Sequence, residues 1–210
     1  MKKIISLALL LVFATAAFGQ TKETLIKKFY LEIAGGGSSQ NGSFTEFAAQ
    51  AIFKNNWTTS FSYHDIDMNP KNLPSDYQQG SVGIFPIFIP VDFPYTKMKL
   101  FSFTGGKCFD AGRKIWFTTE AGFSIVSGEK FSFTRQPVDV SIFGITSNYA
   151  VKKEGNKTTI GGMLKADFNW AILRFLGLGA GVFANFNSLQ SPVGFQVKLI
   201  AGKLNIKRKK

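Results

Sequence analysis

The sequence predicts an all-β protein, an up-and-down antiparallel transmembrane β-barrel of about eight strands behind an N-terminal signal peptide. Three observations predict it. From Thr158 to Leu204 three consecutive segments alternate apolar and polar residues, and each outruns the usual soluble strand of about 5–6 residues. Phe accounts for 23 of 210 residues and charged residues for only 18%, yet beyond the N-terminus no apolar run approaches the roughly 18 residues a membrane helix needs. Short connections alternate with long ones, the division between inner turns and outer loops of a membrane barrel.

Residues 1–19 have the order of an export signal: basic Lys2 and Lys3, an apolar stretch from Ile4 to Phe13, then small Ala14, Ala16, Ala17 and Gly19. Cleavage is expected after Gly19, with Ala16 as the competing site. Residues 20–28 read as a periplasmic lead-in, 29–204 as the barrel and 205–210 as a basic tail. In the first strand Phe29, Leu31, Ile33 and Gly35 oppose Tyr30, Glu32, Ala34 and Gly36. Ser38 to Ser43 is turn chemistry. The second strand sets Phe47, Ala49, Ala51 and Phe53 outward and Glu46, Ala48 and Gln50 inward. After the tight Lys54-Asn55-Asn56 turn, the third sets Trp57, Thr59, Phe61 and Tyr63 against Thr58, Ser60, Ser62 and His64.

Asp65 to Tyr95 reads as a long outer loop, because Pro86, Pro90 and Pro94 interrupt its apolar part and proline removes ladder donors. The fourth strand, about Lys97 to Lys107, has Phe101, Phe103 and Gly105 on one face and Ser102 and Thr104 on the other, a register with which Met98 and Leu100 disagree. The fifth puts Ile115, Phe117, Ala121, Phe123 and Ile125 outward and Lys114, Thr118, Glu120 and Ser124 inward. Ser127 to Lys157 reads as a second long loop ending in a polar turn from Lys152, with Val138, Val140 and Ile142 alternating inside it. The last three strands carry Leu164, Phe168 and Trp170, then Leu178, Val182 and Phe186, then Phe195, Val197 and Leu199 on their oily faces. Further strands over 80–89 and 131–145 would make ten, the alternative that preserves an even number.

The net charge is +12 at pH 7, with basic residues gathered at both ends of the chain (Lys22, Lys27, Lys28; Lys203, Lys207, Arg208, Lys209, Lys210). Such clusters suit anionic lipid or cell-wall polymer, or a solvated tail. No aromatic residues interleave with the basic run, so nucleic acid is not an expected partner. Cys108 is alone, which excludes an intrachain disulfide and a thiolate metal site. No cofactor is expected.

Three phrases carry a family resemblance: Pro74-Ser75-Asp76-Tyr77-Gln78-Gln79-Gly80-Ser81, Phe117-Thr118-Thr119-Glu120-Ala121-Gly122, and Phe183-Ala184-Asn185-Phe186-Asn187-Ser188 with Ser191 and Gly194. With them the chain resembles outer-membrane β-barrels of the Bacteroidota type, of OmpA/OmpX-like eight-stranded architecture. The resemblance covers about Phe29 to Leu204. It implies fold and an outer-membrane location, and leaves activity open. Barrels of this kind often end on an aromatic residue, whereas here Asn205, Ile206 and the basic tail follow Leu204.

Eight strands leave an interior just wide enough for side chains, which disfavours a pore. Glu32, Gln50, Glu120, Lys165, Asp167, Gln196 and Lys198 are expected to project inward as a polar network, with inward Gly161, Gly177, Gly179 and Gly181 leaving room for the long side chains. Trp57, Tyr63, Trp170 and Phe186 are candidate headgroup-level aromatics. The expected role is structural or one of surface interaction, with outer-membrane lipid and an unidentified surface partner. Alternatives are an apolar-ligand or partner site on the Ile84 to Phe93 loop, through Phe85, Phe88 and Phe93; a rim acyltransferase or protease using His64 with Asp65 and Asp67; and a soluble lipocalin-like barrel with its oily faces inside.

Overall fold

The computed structural model describes residues 25–79, 81–84, 87–90, 94–112, 114–138, 140–141, 144–145 and 147–204. They form twelve strands: β1 (Ile26–Ser38), β2 (Gly42–Phe53), β3 (Trp57–Met68), β4 (Ser81–Ile84), β5 (Ile87–Pro90), β6 (Thr96–Asp110), β7 (Ile115–Arg135), β8 (Val140–Ser141), β9 (Gly144–Ile145), β10 (Tyr149–Ala171), β11 (Leu176–Phe186) and β12 (Val193–Lys203). Eight of them close into a barrel in the order β1-β12-β11-β10-β7-β6-β3-β2. Every barrel strand pairs antiparallel with its neighbours, and β1 meets β12 from Phe29↔Lys203 to Ser38↔Gly194. The four remaining short strands form a separate sheet, β5-β4-β9-β8, which joins the two long connections. Neither of the two further segments adds a strand to the wall, so eight replaces the ten-strand alternative.

The β2–β3, β6–β7 and β10–β11 turns and both described chain ends lie at one end of the barrel; the other end carries the short β1–β2 turn, the β11–β12 loop and the two long connections. The β1–β2 turn places Gln40 and Asn41 at positive φ, and the β2–β3 turn does the same with Asn56, residues suited to the left-handed region by a short polar side chain in the two asparagines.

Burial follows parity along each strand. Leu164, Phe168, Trp170, Leu178, Val182, Phe195, Val197 and Leu199 are exposed on the outside, while Lys165, Asp167, Gln196 and Lys198 are buried within. Phe47, Phe61, Phe103 and Phe123 extend the same oily belt around the other strands. Water would penalise that surface and hydrocarbon would not. A lipocalin-like barrel needs the opposite orientation, so that alternative fails.

Several boundaries differ from the sequence reading. β1 begins at Ile26, within the lead-in, because Ile26 and Lys28 already pair with Phe53 and Ile52. β3 runs on to Met68, since Asp65 and Asp67 still pair with Lys99 and Lys97. Ser127 to Lys157 is not a loop: β7 and β10 continue as one hairpin to Arg135↔Tyr149, and the polar Lys152–Lys157 run lies within β10 around a bulge between Lys153 and Gly155. Strands of 21 and 23 residues run roughly 70 Å at about 3.3 Å per residue, far more than an apolar band of about 25 Å needs even when crossed obliquely. The hairpin therefore rises well beyond the belt, and its polar composition fits water on both faces.

Met98 and Leu100 obey the β6 register after all. They point inward with Ser102 and Thr104, fully buried, because the lumen is not polar throughout.

Candidate functional site

The lumen is built in three layers. At the outer end Phe44, Ile66, Met68, Met98, Leu100, Val126, Met163 and Phe183 form an apolar cluster, with Leu189 packed on it from the β11–β12 loop. At the inner end Tyr30, Ile52, Cys108, Trp116, Ala171, Ile200 and Leu204 form another. Between them lie the charges. Strand geometry explains the order: each inward position advances by two residues, so Phe44, Glu46, Gln50 and Ile52 on β2 descend from the outer cluster through the polar layer to the inner cluster.

All seven residues of the expected polar network are buried inside this cylinder. With their neighbours they make three groups. Lys198 Nζ lies 3.0 Å from Glu32 Oε2 and 3.0 Å from Asp167 Oδ2, and Gln196 Nε2 donates to Asp167 Oδ1 at 3.1 Å. Lys165 pairs with Glu46, whose Oε1 is 3.6 Å from His64 Nε2. The third group centres on Glu120. Its Oε1 accepts from Gln50 Nε2 at 2.5 Å and Thr58 Oγ1 at 2.8 Å, and its Oε2 accepts from Ser60 Oγ at 2.7 Å and Thr104 Oγ1 at 2.7 Å. Both carboxylate oxygens thus have two donors each, which is how a carboxylate survives without an adjacent cation.

Glu46, Thr58, Ser60 and Thr104 were missing from the expected network, although strand parity puts all four inward. Parity also turns Trp116 and Phe183 inward, and their burial departs from the expectation of a polar lumen. The inward glycines do make room. A Cβ on Gly179 would stand 2.7 Å from Asn169 Oδ1, and one on Gly181 would stand 2.0 Å from Asp167 Oδ1.

The rim grouping of His64 with Asp65 and Asp67 does not form. Alternation turns His64 into the lumen, fully buried between the Phe44 and Phe183 rings at 6.2 and 5.2 Å, while Asp65 and Asp67 point to the outside of β3. His64 is therefore out of reach of a substrate at that rim. Among the described residues no group of three His, Cys, Asp or Glu is placed to hold a metal ion.

Trp57, Trp170 and Phe186 are exposed on the outer wall, Trp57 with Lys107 Nζ 4.1 Å from its ring centre, and Tyr63 is half-buried against Phe101. Phe85 and Phe93 lie outside the described residues, as do 1–24 and 205–210; Phe88 sits on β5.

At the inner edge Lys27 and Lys28 both pair with Asp110, Lys28 at 2.9 Å, and Lys28 also stands 3.9 Å from the Trp116 ring centre. Partial burial by itself would raise the Asp110 carboxyl, but hydrogen bonds from Lys27 and then Lys28 outweigh it and hold the group below the usual carboxylate range.

At the outer end, residues 74–79 are tied to the hairpin tip. Asn148 Nδ2 donates to Asp76 O at 2.7 Å, Asn148 Oδ1 accepts from Gln78 N at 2.8 Å, and Tyr149 Oη donates to Asp76 Oδ1 at 2.8 Å. The Tyr77 ring sits against Phe133 and Tyr149. Residues 76–78, within the Pro74–Ser81 phrase, thus dock onto the hairpin.

No protein-family model and no curated protein matches the sequence. Among solved structures, the N-terminal β-barrel domain of Pseudomonas aeruginosa OprF is similar at TM-score 0.50 and 8% identity, over 84% of this chain and 97% of that one. Ail, the attachment invasion locus protein of Yersinia pestis, gives TM-score 0.47 at 11% identity, over 84% and 97%. A de novo designed transmembrane β-barrel gives 0.46 at 10%, over 83% and 96%. The chain has the eight-stranded, up-and-down antiparallel fold of outer-membrane β-barrels.

Proposed function

We propose that this protein is a non-conducting outer-membrane barrel whose wall anchors an external platform, the β7–β10 hairpin and its docked loops, for contacts at the cell surface. The observation that carries the reading is the layered lumen: an ionic layer closed above and below by apolar clusters offers no continuous aqueous path. The oily outer belt supports residence in lipid, and the even strand number, with both described chain ends opposite the two long connections, supports insertion with those connections outward. Export through a cleaved signal peptide and the Bacteroidota-type resemblance belong to the same proposal. Cell-wall polymer is a weaker partner for the basic N-terminal residues, since Lys27 and Lys28 are already engaged by Asp110.

Membrane fractionation of the mature protein tests the location, with the outer-membrane fraction and heat-dependent mobility on a detergent gel as the expected result. Planar-bilayer recording tests the closed lumen. Discrete ion-conducting steps from the purified barrel would overturn the non-conducting reading, and recovery in the soluble fraction without detergent would overturn the membrane reading.

A further inference from the structure

Outside the lumen, a cavity opens at the outer mouth between the foot of the β7–β10 hairpin, the 69–79 segment and the β11–β12 loop. It measures about 640 Å³, within the roughly 300–1,000 Å³ of small-molecule sites. Its apolar lining is half-buried Leu189 and Phe131, above fully buried Met98 at the top of the outer cluster. Its charged lining is Lys71, Lys130, Lys157 and Glu129. Glu129 is taken by Lys153, and Lys130 by Glu154 at 3.4 Å. Lys71 and Lys157 have no acidic partner among the described residues, so the lining holds two lysines whose charge is uncompensated.

We propose that this cleft binds a phosphate-bearing saccharide, the phosphate held by Lys71 and Lys157 and a sugar ring face on Leu189 and Phe131. The inference rests on the outward orientation given under Proposed function. Three features point to this class. Uncompensated lysines attract an anion, and each ammonium is a compact point charge with three rotatable donors that suits phosphate oxygens. Polar groups beside them, the Asn72 amide and Ser188 hydroxyl, can serve ring hydroxyls; Asn72 Nδ2 already donates to Phe131 O at 2.7 Å, which fixes its carbonyl oxygen toward other partners. The apolar lining takes a ring face, which an inorganic anion does not have.

The test uses the full mature chain in zwitterionic micelles, titrated with glucose 6-phosphate, glucose and inorganic phosphate, and read by amide chemical shifts of Gly128 and Leu189. Glucose 6-phosphate is expected to give saturable shifts, glucose none, and inorganic phosphate weaker ones. The K71Q/K157Q variant is expected to lose about tenfold or more in affinity, with unchanged heat-dependent mobility showing that its barrel is folded. Vesicles of zwitterionic lipid with and without a phosphorylated glycolipid then separate two sources of the same chemistry. Competition by the glycolipid assigns the cleft to a lipid headgroup; its absence alongside glucose 6-phosphate binding assigns it to a free sugar phosphate. Shifts that do not saturate, that glucose reproduces, or that survive in K71Q/K157Q overturn the proposal. Such a failure leaves the membrane anchor standing, because fractionation and conductance read that separately.

Discussion

Lys198 and Glu32 form an ion pair across the β1–β12 seam that closes the barrel, with Lys198 Nζ 3.1 and 3.0 Å from the two Glu32 carboxylate oxygens. The same ammonium reaches Asp167 on β10. One buried cation thus ties the first strand to the last and to a third. Removing it leaves two carboxylates buried without a counter-charge, so Lys198→Met should destabilise the barrel by about 3–5 kcal/mol. Replacing Lys198 and Glu32 together with Met and Gln should cost less than Lys198→Met alone, because one orphaned charge is gone. Denaturant unfolding in lipid vesicles measures both. A single variant as stable as the wild type would mean that the seam does not depend on this pair.

Gly181 offers a steric test of the same layer. A Cβ there would meet Asp167 Oδ1 at 2.0 Å and Ala166 O at 2.9 Å, and Asp167 cannot swing aside without leaving Lys198 and Gln196. Gly181→Ala should therefore cost about 1–3 kcal/mol. At Gly162, on the outside wall, a Cβ meets nothing within 4 Å, and Gly162→Ala should stay within about 0.5 kcal/mol of wild type. Equal stabilities for the two variants would show that the lumen is looser than its contacts imply.

Strand parity made the wall legible from sequence. Once Leu164, Phe168 and Trp170 are set outward, Lys165 and Asp167 must point in, and a wrong register would have moved every residue to the other face. The fold class and the even count of eight followed from that pattern and from turn residues such as Asn55 and Asn56. Parity also held the answer for Met98, Leu100, Trp116 and Phe183, but their hydrophobicity conflicts with a lumen imagined as uniformly polar. What resolves the conflict is depth along the barrel axis, which depends on the stagger between strands and is not written in any one of them. The long hairpin was hidden for another reason. Above the membrane both faces of β7 and β10 meet water, so the alternation that reports a strand fades into a polar run, and Lys152 to Lys157 resembles a turn.

Asp110 sets a pH dependence. Its carboxyl is held below the ordinary value by Lys27 and Lys28, so the folded state favours the ionised form. The stabilisation is fully present above the unfolded value of about 3.9 and is lost as pH falls through the lower folded value. Asp110→Asn should thus be less stable than wild type near neutral pH, with the gap closing in acid. The side chain is 30% exposed, so solvent and salt reduce the effect. Unfolding midpoints of both proteins across the acid range check it. A gap that persists unchanged at the acid end would mean that the Asp110 charge is not its source.

Asn148 holds the outer platform together from both sides of its amide, donating to Asp76 O and accepting from Gln78 N. Asn148→Ala removes both bonds at once, whereas Tyr149→Phe removes only the hydroxyl bond to Asp76. Lys71 lies in the same connection, exposed, and is a trypsin site. Cleavage after Lys71 should therefore accelerate several-fold in Asn148→Ala and less in Tyr149→Phe, since proteolysis follows the population of the undocked loop when opening is fast. Heat-dependent mobility should be unchanged in both, because neither residue reaches the lumen. Cleavage at the wild-type rate in Asn148→Ala would leave ring contacts of Tyr77 with Phe133 and Tyr149 as the docking force, and Tyr77→Ala would then be the variant that releases the loop.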